Sequence, residues 1–492
     1  MRLSKLVENL PNARLLIKGE EKEVFCLVTD SREKMTDGLF FCLLGENVDS
    51  HNLVGEAIKN GAVAIVTNRE LSYEIPQIIV EDEREALSLL SAEFYGNPSE
   101  RLKIIGITGT NGKTTTSYML ASILEKNSKK TGVIGTLGIR YGVKEIPNDL
   151  TTPDPIFLQK ILSEMLVHGI EYVVMEVSAH ALYYKKTLGV KFFACIFTNL
   201  TQDHLDFFQT MQRYEQTKTS LFYNDICPIA IVNGDDAVGR KIGEMREKET
   251  VGKTVYYGME TPSDAFAIVT EETLYGAECV LNINDKLCRC SLSLTGKHNV
   301  YNALAAAACA AELGVPLTNI AAGLSGLKTV KGRLQRIENN KKFNIYVDFA
   351  HTPDGLGKSL DSLRTHCKGR LICLFGCGGN RDKTKRPLMG ETVAKKADFA
   401  VLTSDNPRYE DPLDIISNIE KGYRRFSLKY VVVPNREKAL EYALDCLKKD
   451  DVLLVAGKGG EEYQEIMGIK YSFNDQDIIE KLLEKKGKSS FV

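Results

Sequence analysis

Short apolar runs alternate with amphipathic stretches along the chain, and they fall into three successive series. The first series occupies residues 1–98. Its apolar runs predict strands at Val24–Thr29, Leu39–Leu44, Ala62–Thr67 and Gln77–Val80. The pair Asn97-Pro98 then breaks the pattern. This part of the chain therefore predicts a small α/β unit.

The second series begins near Arg101. Lys103–Thr108 predicts a buried strand, which is followed at once by the polar segment GTNGKTT and then by a helical pattern of apolar residues. Further strands are predicted at Tyr172–Met175, Phe193–Thr198 and Ile229–Val232. Strands separated by crossovers of this length predict a parallel sheet.

The third series starts near Lys331, and each of its strands is followed by a loop and a helical pattern. The strands are predicted at Asn344–Asp348, Arg370–Phe375, Phe399–Thr403, Tyr430–Val433 and Val452–Val455. At about 150 residues per domain, a chain of 492 residues predicts about three domains. We place them at residues 1–98, 99–331 and 332–492.

Composition narrows the class of protein. The 63 Lys and Arg nearly cancel the 65 Asp and Glu, which argues against a generally basic nucleic-acid binder. The chain has no apolar run of roughly 18 residues and no signal-peptide core at its start, so we expect no membrane-embedded segment. Its 12 cysteines are scattered without a CxxC pair, which predicts reduced thiols that lie mostly in the core. With no signal peptide and no membrane span predicted, we expect a cytoplasmic protein.

The segment Gly109-Thr110-Asn111-Gly112-Lys113-Thr114 has the context of a nucleotide-phosphate site, because it follows a strand and opens a helix. Glycines let backbone N–H groups turn toward anionic oxygens, the helix N-terminus adds a positive dipole end, and Lys113 supplies a charge. Thr114 could bind Mg²⁺ through its hydroxyl. The spacing departs from GxxxxGK[ST], so a tight strand–helix turn with an incidental lysine is the alternative.

Acidic and imidazole groups follow the next strands. Glu176 ends the strand Tyr172–Met175, and His204 follows the strand Phe193–Thr198 in the segment TNLTQDHLD. A single histidine is more often a hydrogen-bonded structural residue, but beside a phosphate loop at a strand end a metal or phosphate role gains weight. Lys218, taken by itself, has the pattern of an ordinary solvated helix lysine.

Polar loops follow four strands of the third series, and ligands bind at this edge of open α/β sheets. Arg386 and Arg408 are suited to bidentate capture of a carboxylate. Asp405 and Glu461 are suited to an ammonium group. Together these residues predict a ligand that carries both carboxylates and amines.

The chain resembles the Mur ligase family, ATP-dependent amide-forming enzymes of peptidoglycan precursor synthesis. The resemblance rests on TGTNGKTT (108–115), MEVSAHAL (175–182), FTNLTQDHLDF (197–207), TGKHNVYNALAA (295–306), the GR at 332–333 and VDFAHTPDGL (347–356), which occur in the family's order. It implies an α/β protein with three parts: a small N-terminal UDP-binding domain, a central P-loop ATPase domain with a mostly parallel sheet, and a C-terminal Rossmann-like domain.

Four further segments resemble the branch of the family that adds the third residue of the stem peptide: DSR (30–32), TTP (151–153), GNRDKTKRPLMG (379–390) and DNPR (405–408). DNPR resembles the signature of members that add meso-diaminopimelate. A second carboxylate on that amino acid could pair with Arg408, whereas the ammonium of lysine would be repelled. The expected reaction joins meso-diaminopimelate to UDP-MurNAc-L-Ala-D-Glu with ATP and two Mg²⁺.

The resemblance also implies residue roles. The UDP-linked substrate would contact Ser31, Glu46, Asn47, Val48, Thr151, Thr152, Ser178 and Lys186. ATP would contact Gly109, Thr110, Asn111, Gly112, Lys113, Thr114, Thr115, Asn299, Arg333 and Asp348. Magnesium would be held by Thr114, Glu176, His204 and a Lys218 carbamylated by CO₂. The amino acid would contact Arg386, Asp405, Asn406, Pro407, Arg408, Gly457 and Glu461. Lys113, Glu176, His204 and Lys218 would be the catalytic set.

Some positions depart from the family's pattern. Tyr184 and Lys186 stand where relatives often carry Gln and Arg, Gln202 replaces an Arg, and Gly460 replaces a His. The differences at Tyr184 and Lys186 affect the expected contacts with the muramoyl-peptide, and none of the differences removes a residue needed for phosphoryl transfer. The alternatives are a lysine-adding ligase, a folylpolyglutamate synthetase and a non-catalytic nucleotide-binding regulator. Small-molecule substrates and a monomer are expected.

Overall fold

A computed structural model of the chain describes residues 1–17, 21–45, 48–223, 226–341 and 343–488. It divides into two compact units. The first unit contains Met1–Gly106, Lys129–Cys195 and Thr217–Ile229. The second contains Ile107–Ser128, Ile196–Gln216 and Ala230–Val492.

The elements of the first 98 residues are strands β1 (Arg14–Leu16), β2 (Cys26–Val28), β3 (Gly38–Phe41), β4 (Ala62–Thr67) and β5 (Gln77–Ile79), and helices α1 (Leu3–Val7), α2 (Val54–Lys59) and α3 (Glu83–Phe94). These strands form one sheet in the order β1-β5-β4-β3-β2. Only β1 runs antiparallel to its neighbour. The buried side chains of Leu39, Phe41, Ala64 and Val66 alternate along β3 and β4 and face the helices α1 and α3.

The following strands are β6 (Lys103–Thr108), β7 (Thr131–Gly135), β8 (Gly138–Tyr141), β9 (Lys144–Ile146), β10 (Tyr172–Glu176), β11 (Phe192–Phe197), β12 (Ile229–Asn233), β13 (Lys253–Gly258), β14 (Ala265–Thr273), β15 (Gly276–Ile283) and β16 (Lys286–Leu292). The helices are α4 (Lys113–Lys126), α5 (Pro155–Val167), α6 (Ala179–Tyr183), α7 (Leu205–Phe208), α8 (Met211–Thr219), α9 (Ala237–Glu249), α10 (Lys297–Glu312) and α11 (Leu317–Gly326). In the first unit β10 and β7 are parallel and continue into the antiparallel strands β8 and β9. In the second unit β13 and β14 are parallel and continue into the antiparallel strands β15 and β16.

The remaining strands are β17 (Gln335–Arg336), β18 (Asn344–Asp348), β19 (Leu371–Phe375), β20 (Phe399–Leu402), β21 (Tyr430–Val432), β22 (Val452–Ala456), β23 (Tyr463–Ile466) and β24 (Ile469–Ser472). The helices are α12 (Pro353–Arg364), α13 (Lys385–Lys396), α14 (Pro412–Tyr423), α15 (Arg436–Cys446) and α16 (Asp475–Lys488). The main sheet has the order β17-β18-β22-β19-β20-β21 and is parallel except for β17.

Alternating side chains of this last sheet form two separate cores. Tyr346, Cys373 and Leu454 face a layer that contains α12, α13 and α14. On the other face Val347 and Leu374 pack with α15 and α16. The parallel strands therefore lie between two layers of helices, with all of their carboxyl ends at one edge.

The predicted strands of all three series are present, and the α/β class is confirmed. Several strands were not predicted from the sequence, namely β1, β7, β8, β9 and β13 to β17, together with the hairpin of β23 and β24. Many of these are short edge strands or antiparallel strands with exposed polar side chains. Such strands lack the continuous apolar run that identifies a buried parallel strand. Along the described ranges, no helix has the length and apolarity that crossing a membrane requires.

A fully buried ion pair joins the start of α15 to the start of α16. Arg436 donates to both carboxylate oxygens of Asp475, at 2.8 and 2.7 Å, and neither side chain is exposed. Arg436→Met would leave Asp475 buried without its partner, and we expect a loss of about 3–5 kcal/mol in the free energy of unfolding. Urea denaturation measures it. Arg424→Met, at an exposed pair, is the control, and an equal loss in both variants would contradict the prediction.

Candidate active site

The phosphate loop lies between β6 and α4 and is shaped by its own side chains. Gly112 precedes α4 with a φ of 87°, and a Cβ there would stand 2.4 Å from Oδ1 of Asn302. Glycine is therefore required both by the backbone and by the close approach. The Lys113 ammonium donates to the carbonyl oxygens of Gly109 and Thr110 at 2.8 and 2.9 Å. This places a cation over a loop that opens a helix, as an anion site requires.

The segment after β11 supports the phosphate loop. Thr198 donates its hydroxyl to the carbonyl oxygen of Asn111 at 2.6 Å, and the Asn111 N–H donates to Oδ1 of Asn199 at 3.0 Å. Thr110 donates its hydroxyl to the Thr201 carbonyl oxygen at 3.1 Å. The loop is thus held in shape by residues of the segment FTNLTQDHLDF (197–207), to which the sequence alone assigned no such role.

The expected ATP residues Arg333 and Asn299 also lie around α4. Arg333 donates to the hydroxyl oxygen of Thr114 at 2.8 Å, and its guanidinium lies 4.4 Å from the centre of the Phe349 ring. Asn299 accepts from the side chain of Asn302 at 3.1 Å. Thr114 and Thr115 are both buried. The structure therefore brings together this part of the expected ATP set.

Asp348, another expected ATP residue, ends β18 and turns its carboxylate toward the backbone. It accepts from the N–H groups of Leu334 and Ala350. Burial raises the pKa of its carboxyl, against the opposing charge of Arg333. Because it accepts from the Leu334 N–H, the Asp348 carboxylate stabilises the turn that carries Arg333.

His204 adopts a left-handed backbone with a φ of 54°, which is uncommon for a non-glycine residue and occurs more often at functional sites. Its ring Nε2 lies 3.3 Å from the carboxylate of the preceding Asp203, which is buried. Burial opposes ionisation of Asp203. The nearby basic side chains of His351, His204 and Lys385 outweigh that effect and hold the pKa of Asp203 well below its usual range.

Glu176 is fully buried at the end of β10 in the first unit. Its carboxylate accepts from the N–H and the hydroxyl of Thr136 at 3.0 and 3.1 Å. A Cβ on Gly135 would stand 2.2 Å from Glu176 Oε1, so only glycine permits this approach. Thr152 donates to the Glu176 carbonyl oxygen at 2.8 Å and accepts from the Ser178 N–H at 3.0 Å.

The other expected substrate residues of the first unit are more dispersed. Thr151 pairs its hydroxyl with that of Thr136 at 3.2 Å, and Lys186 forms an ion pair with Asp154 at 2.6 Å. Ser31 is buried and donates to Glu56, whereas Val48 is exposed. The expected residues Glu46 and Asn47 lie outside the described residues. Lys218 is only 1% exposed, unlike the solvated lysine that its local sequence predicts.

The expected amino-acid residues cluster at the carboxyl ends of β20 and β22. Asn406 donates to the Glu461 carboxylate at 2.9 Å, and the buried Lys458 donates to Asn406 and Glu461 at 3.0 and 2.8 Å. Burial opposes ionisation of Asp405, but the charges of Lys458 and Arg436 lower the pKa of its carboxyl.

Neighbouring backbone groups complete this cluster. The N–H of Gly457 donates to the Asp348 carbonyl oxygen at 3.0 Å, and the carbonyl oxygen of Pro407 accepts from the Glu410 N–H at 3.0 Å. The loops after β18, β20 and β22 thus lie at one edge of the sheet, as the sequence analysis expected for a binding edge.

Both expected carboxylate-binding arginines hold carboxylates of the chain itself. Arg386 is 1% exposed and donates to the two carboxylate oxygens of Glu410 at 2.9 and 3.0 Å. Its hydrogen bonds lower the pKa of Glu410 to about 2. Arg408 donates through Nε to Glu465 at 3.0 Å and through Nη1 to the Gly379 carbonyl oxygen at 2.8 Å. Its backbone is left-handed, with a φ of 54°.

Five charged residues of these contacts were not predicted from the sequence: Glu410, Glu465, Asp203, Lys385 and Lys458. Glu410 follows the DNPR segment by two residues, which is a signal that could have found it. Glu465 lies 57 residues from Arg408, and no local pattern relates the two. The remaining residues occur next to positions that had been singled out.

The expected magnesium residues include oxygen ligands of the kind that Mg²⁺ prefers. Within the part of the chain that the structure describes, no three His, Cys, Asp or Glu side chains cluster as a metal site. Mg²⁺ usually keeps several waters and takes one or two carboxylates plus substrate phosphates, so it needs no such cluster. The Thr114 hydroxyl and the Glu176 carboxylate, which Thr136 holds in place, are oxygen donors of the required kind.

Two family models match the chain. The Mur ligase middle domain matches residues 107–310, and the Mur ligase glutamate ligase domain matches residues 332–459. A curated relative from Caldanaerobacter subterraneus subsp. tengcongensis, named UDP-N-acetylmuramoyl-L-alanyl-D-glutamate–2,6-diaminopimelate ligase, is 41% identical over 98% of this chain and 100% of its own length. A relative of the same name from Geobacillus kaustophilus is 40% identical over 99% of this chain and 100% of its own length.

A solved structure with that same name is also similar. It superposes with a TM-score of 0.69 at 28% sequence identity, and covers 94% of this chain and 95% of the other. The order of the sequence motifs, the architecture and these full-length relatives agree. The chain therefore belongs to the Mur ligase family.

Proposed function

We propose that this Mur ligase uses ATP to join meso-2,6-diaminopimelate to UDP-MurNAc-L-Ala-D-Glu, giving UDP-MurNAc-tripeptide, ADP and phosphate. The observation that carries the proposal is that relatives named for this ligase activity align with the chain from end to end. The intact phosphate loop and the DNPR segment agree with it. The protein would act in the cytoplasm as a monomer on small-molecule substrates, with no nucleic-acid partner.

We assign one substrate to each part of the chain. Residues 1–98 would bind the UDP-linked substrate, residues 99–331 would bind ATP, and residues 332–492 would bind the amino acid. The ranges matched by the two family models, 107–310 and 332–459, fall within the second and third parts. A ligase that joins two substrates with ATP has three ligands to place.

The residue roles follow the same division. The UDP-linked substrate would contact Ser31, Glu46, Asn47, Val48, Thr151, Thr152, Ser178 and Lys186. ATP would contact the loop Gly109–Thr115, Asn299, Arg333 and Asp348. The amino acid would contact Arg386, Asp405, Asn406, Pro407, Arg408, Gly457 and Glu461.

Magnesium would be held by Thr114, Glu176, His204 and Lys218, and it would offset the charge of the phosphates. Lys218 would first react with CO₂, so that its amine loses a proton and becomes a carbamate with oxygen donors. The burial of Lys218 supports this role, because the side chain faces the protein interior and not solvent.

In the proposed mechanism the γ-carboxylate of the D-glutamyl residue attacks the γ-phosphorus of ATP, and ADP leaves. Lys113 would stabilise the charge on the transferred group while the loop N–H groups orient it. The amine of the amino acid then attacks the acyl phosphate, loses a proton, and expels phosphate. Because water would hydrolyse the acyl phosphate, the site must exclude water at this stage.

The direct test is an ADP-release assay with UDP-MurNAc-dipeptide, comparing meso-diaminopimelate with L-lysine. We expect ADP release that depends on the dipeptide substrate and is much faster with meso-diaminopimelate. Preference for lysine would replace the proposal with a lysine-adding ligase. A protein that binds nucleotide without amino-acid-dependent ADP release would be a regulator instead.

Lys113→Ala removes the cation that lies over the phosphate loop, and we expect it to abolish ADP formation. The assay is ADP release at saturating substrates. Lys126→Ala, at the exposed far end of α4, is the control and should retain activity. Substantial turnover by Lys113→Ala would exclude this loop as the site of phosphoryl transfer.

Arg408→Ala removes the guanidinium expected to pair with the second carboxylate of meso-diaminopimelate. Loss of a charge-assisted hydrogen bond of about 1.5–3 kcal/mol predicts a KM for the amino acid roughly 10- to 100-fold higher. The KM for ATP should change little. Arg381→Ala, an exposed arginine of a neighbouring loop, is the control. An unchanged KM for the amino acid would overturn the specificity assignment.

Lys218→Ala removes the amine that would carry the carbamate, and we expect a large loss of kcat. Small carboxylates such as formate or acetate should restore part of the activity, because they can supply the missing oxygen donor. Steady-state rates with and without the added carboxylate measure this, and Lys248→Ala at an exposed position is the control. Full activity of Lys218→Ala without rescue would refute carbamylation.

A further inference from the structure

The Asp203 carboxylate is contacted by three basic side chains. Its oxygens lie 3.3 Å from Nε2 of His204, 3.7 Å from Nε2 of His351 and 3.5 Å from Nζ of Lys385. Oδ1 also accepts from the His204 N–H at 2.9 Å. The carboxylate side chain is 8% exposed and that of Lys385 is 9% exposed. A buried carboxylate thus stands at the centre of a basic cluster.

The three contacts come from different parts of the second unit. His204 follows β11, His351 follows β18, and Lys385 begins α13 directly before Arg386. His351 is itself fixed, because its Nδ1 lies 2.8 Å from the Phe349 carbonyl oxygen. Asp203 therefore connects the segment that carries His204 to two loops of the last sheet.

We propose that Asp203 is a positioning residue that couples the amino-acid loop, through Lys385, to His204 on the ATP side of the reaction. This inference rests on the proposed function, in which Arg386 binds the amino acid and His204 holds magnesium. Arg386 immediately follows Lys385, so a shift of the Lys385 side chain would displace the first turn of α13, which carries Arg386. Asp203 itself touches neither substrate in this role.

The charges explain why one carboxylate can link the two sides. The Asp203 carboxylate offsets the charge of the buried Lys385 ammonium at 3.5 Å, and the same carboxylate lies 3.3 Å from the His204 ring. Without Asp203, Lys385 would remain buried without an opposing charge, which is strongly unfavourable. The loop that carries it would then relax, and a displacement of about 1 Å in a positioned group can lower a rate 100-fold.

The test is a double-mutant cycle with Asp203→Asn and Lys385→Met. We expect each single variant to lower kcat about 10- to 100-fold, with nucleotide affinity within about twofold of the unchanged protein. The double variant should be no slower than the slower single variant, because both changes break one connection. Asp206→Asn, an exposed acid of the same segment, and Lys395→Met, at an exposed pair of α13, are the matched controls.

Three outcomes would overturn the proposal. Losses of kcat that multiply in the double variant would mean that the two residues act independently. Coupling in the free energy of unfolding, with kcat unchanged, would mean that the contact only stabilises the fold. Loss of nucleotide binding in Asp203→Asn would place Asp203 in the ATP site itself. If Asp203→Asn fails to fold, Asp203→Glu, which keeps the carboxylate, is compared with Lys385→Met and should retain much more of the rate; an equal loss of kcat in the two variants would overturn the proposal.

The proposed function is tested separately in the same series. If the unchanged protein forms no tripeptide from the expected substrates, the proposed function fails. The cycle can then still be measured by denaturation, where absence of coupling between Asp203 and Lys385 would reject the contact as well.

Discussion

Pairing of buried charges is the constraint on which the ligand-binding edge of this protein depends. Arg386, Arg436 and Lys458 are almost fully removed from water. Arg386 and Arg436 donate to carboxylates of another loop or helix, and Lys458 donates to Glu461 of its own loop and to Asn406 of the loop after β20. A buried cation without a partner would cost several kcal/mol, so the loops that supply these carboxylates are held in place by the charges themselves. The sheet provides the edge, and ion pairs set the shape of the loops on it.

Polar contacts also connect the carboxyl edge of the last sheet with the phosphate loop and with the segment after β11. Asp203 lies between basic groups on both sides, and Arg333 reaches from the turn before β17 to Thr114 at the start of α4. Asn111 donates to Asp354 on α12 at 2.9 Å, so the phosphate loop also touches the helix that follows β18. The second unit thus contains several polar contacts that connect the phosphate loop and the segment after β11 with elements of the last sheet.

Features that are encoded by residues adjacent in sequence could be predicted, namely the buried strands and the phosphate loop. The strands β6, β18 and β22 are continuous apolar runs, and the glycines and lysine of the phosphate loop stand together in sequence. The chain's own partners of Arg386 and Arg408 were not predicted, because Glu410 and Glu465 lie 24 and 57 residues away and only the folded sheet brings them near. Lys218 was predicted to be solvated because the residues around it in α8 are mostly polar, but in the folded protein its side chain is buried.

The pairing of Arg386 with Glu410 restricts how the chain can change over generations. Replacing Glu410 alone leaves the Arg386 guanidinium buried without a carboxylate, which is strongly unfavourable. Replacing Arg386 alone leaves Glu410 paired with Lys383 at 3.3 Å. The order of substitution therefore matters, because Arg386 has to change before Glu410, 24 residues away, can be lost without leaving a buried unpaired charge.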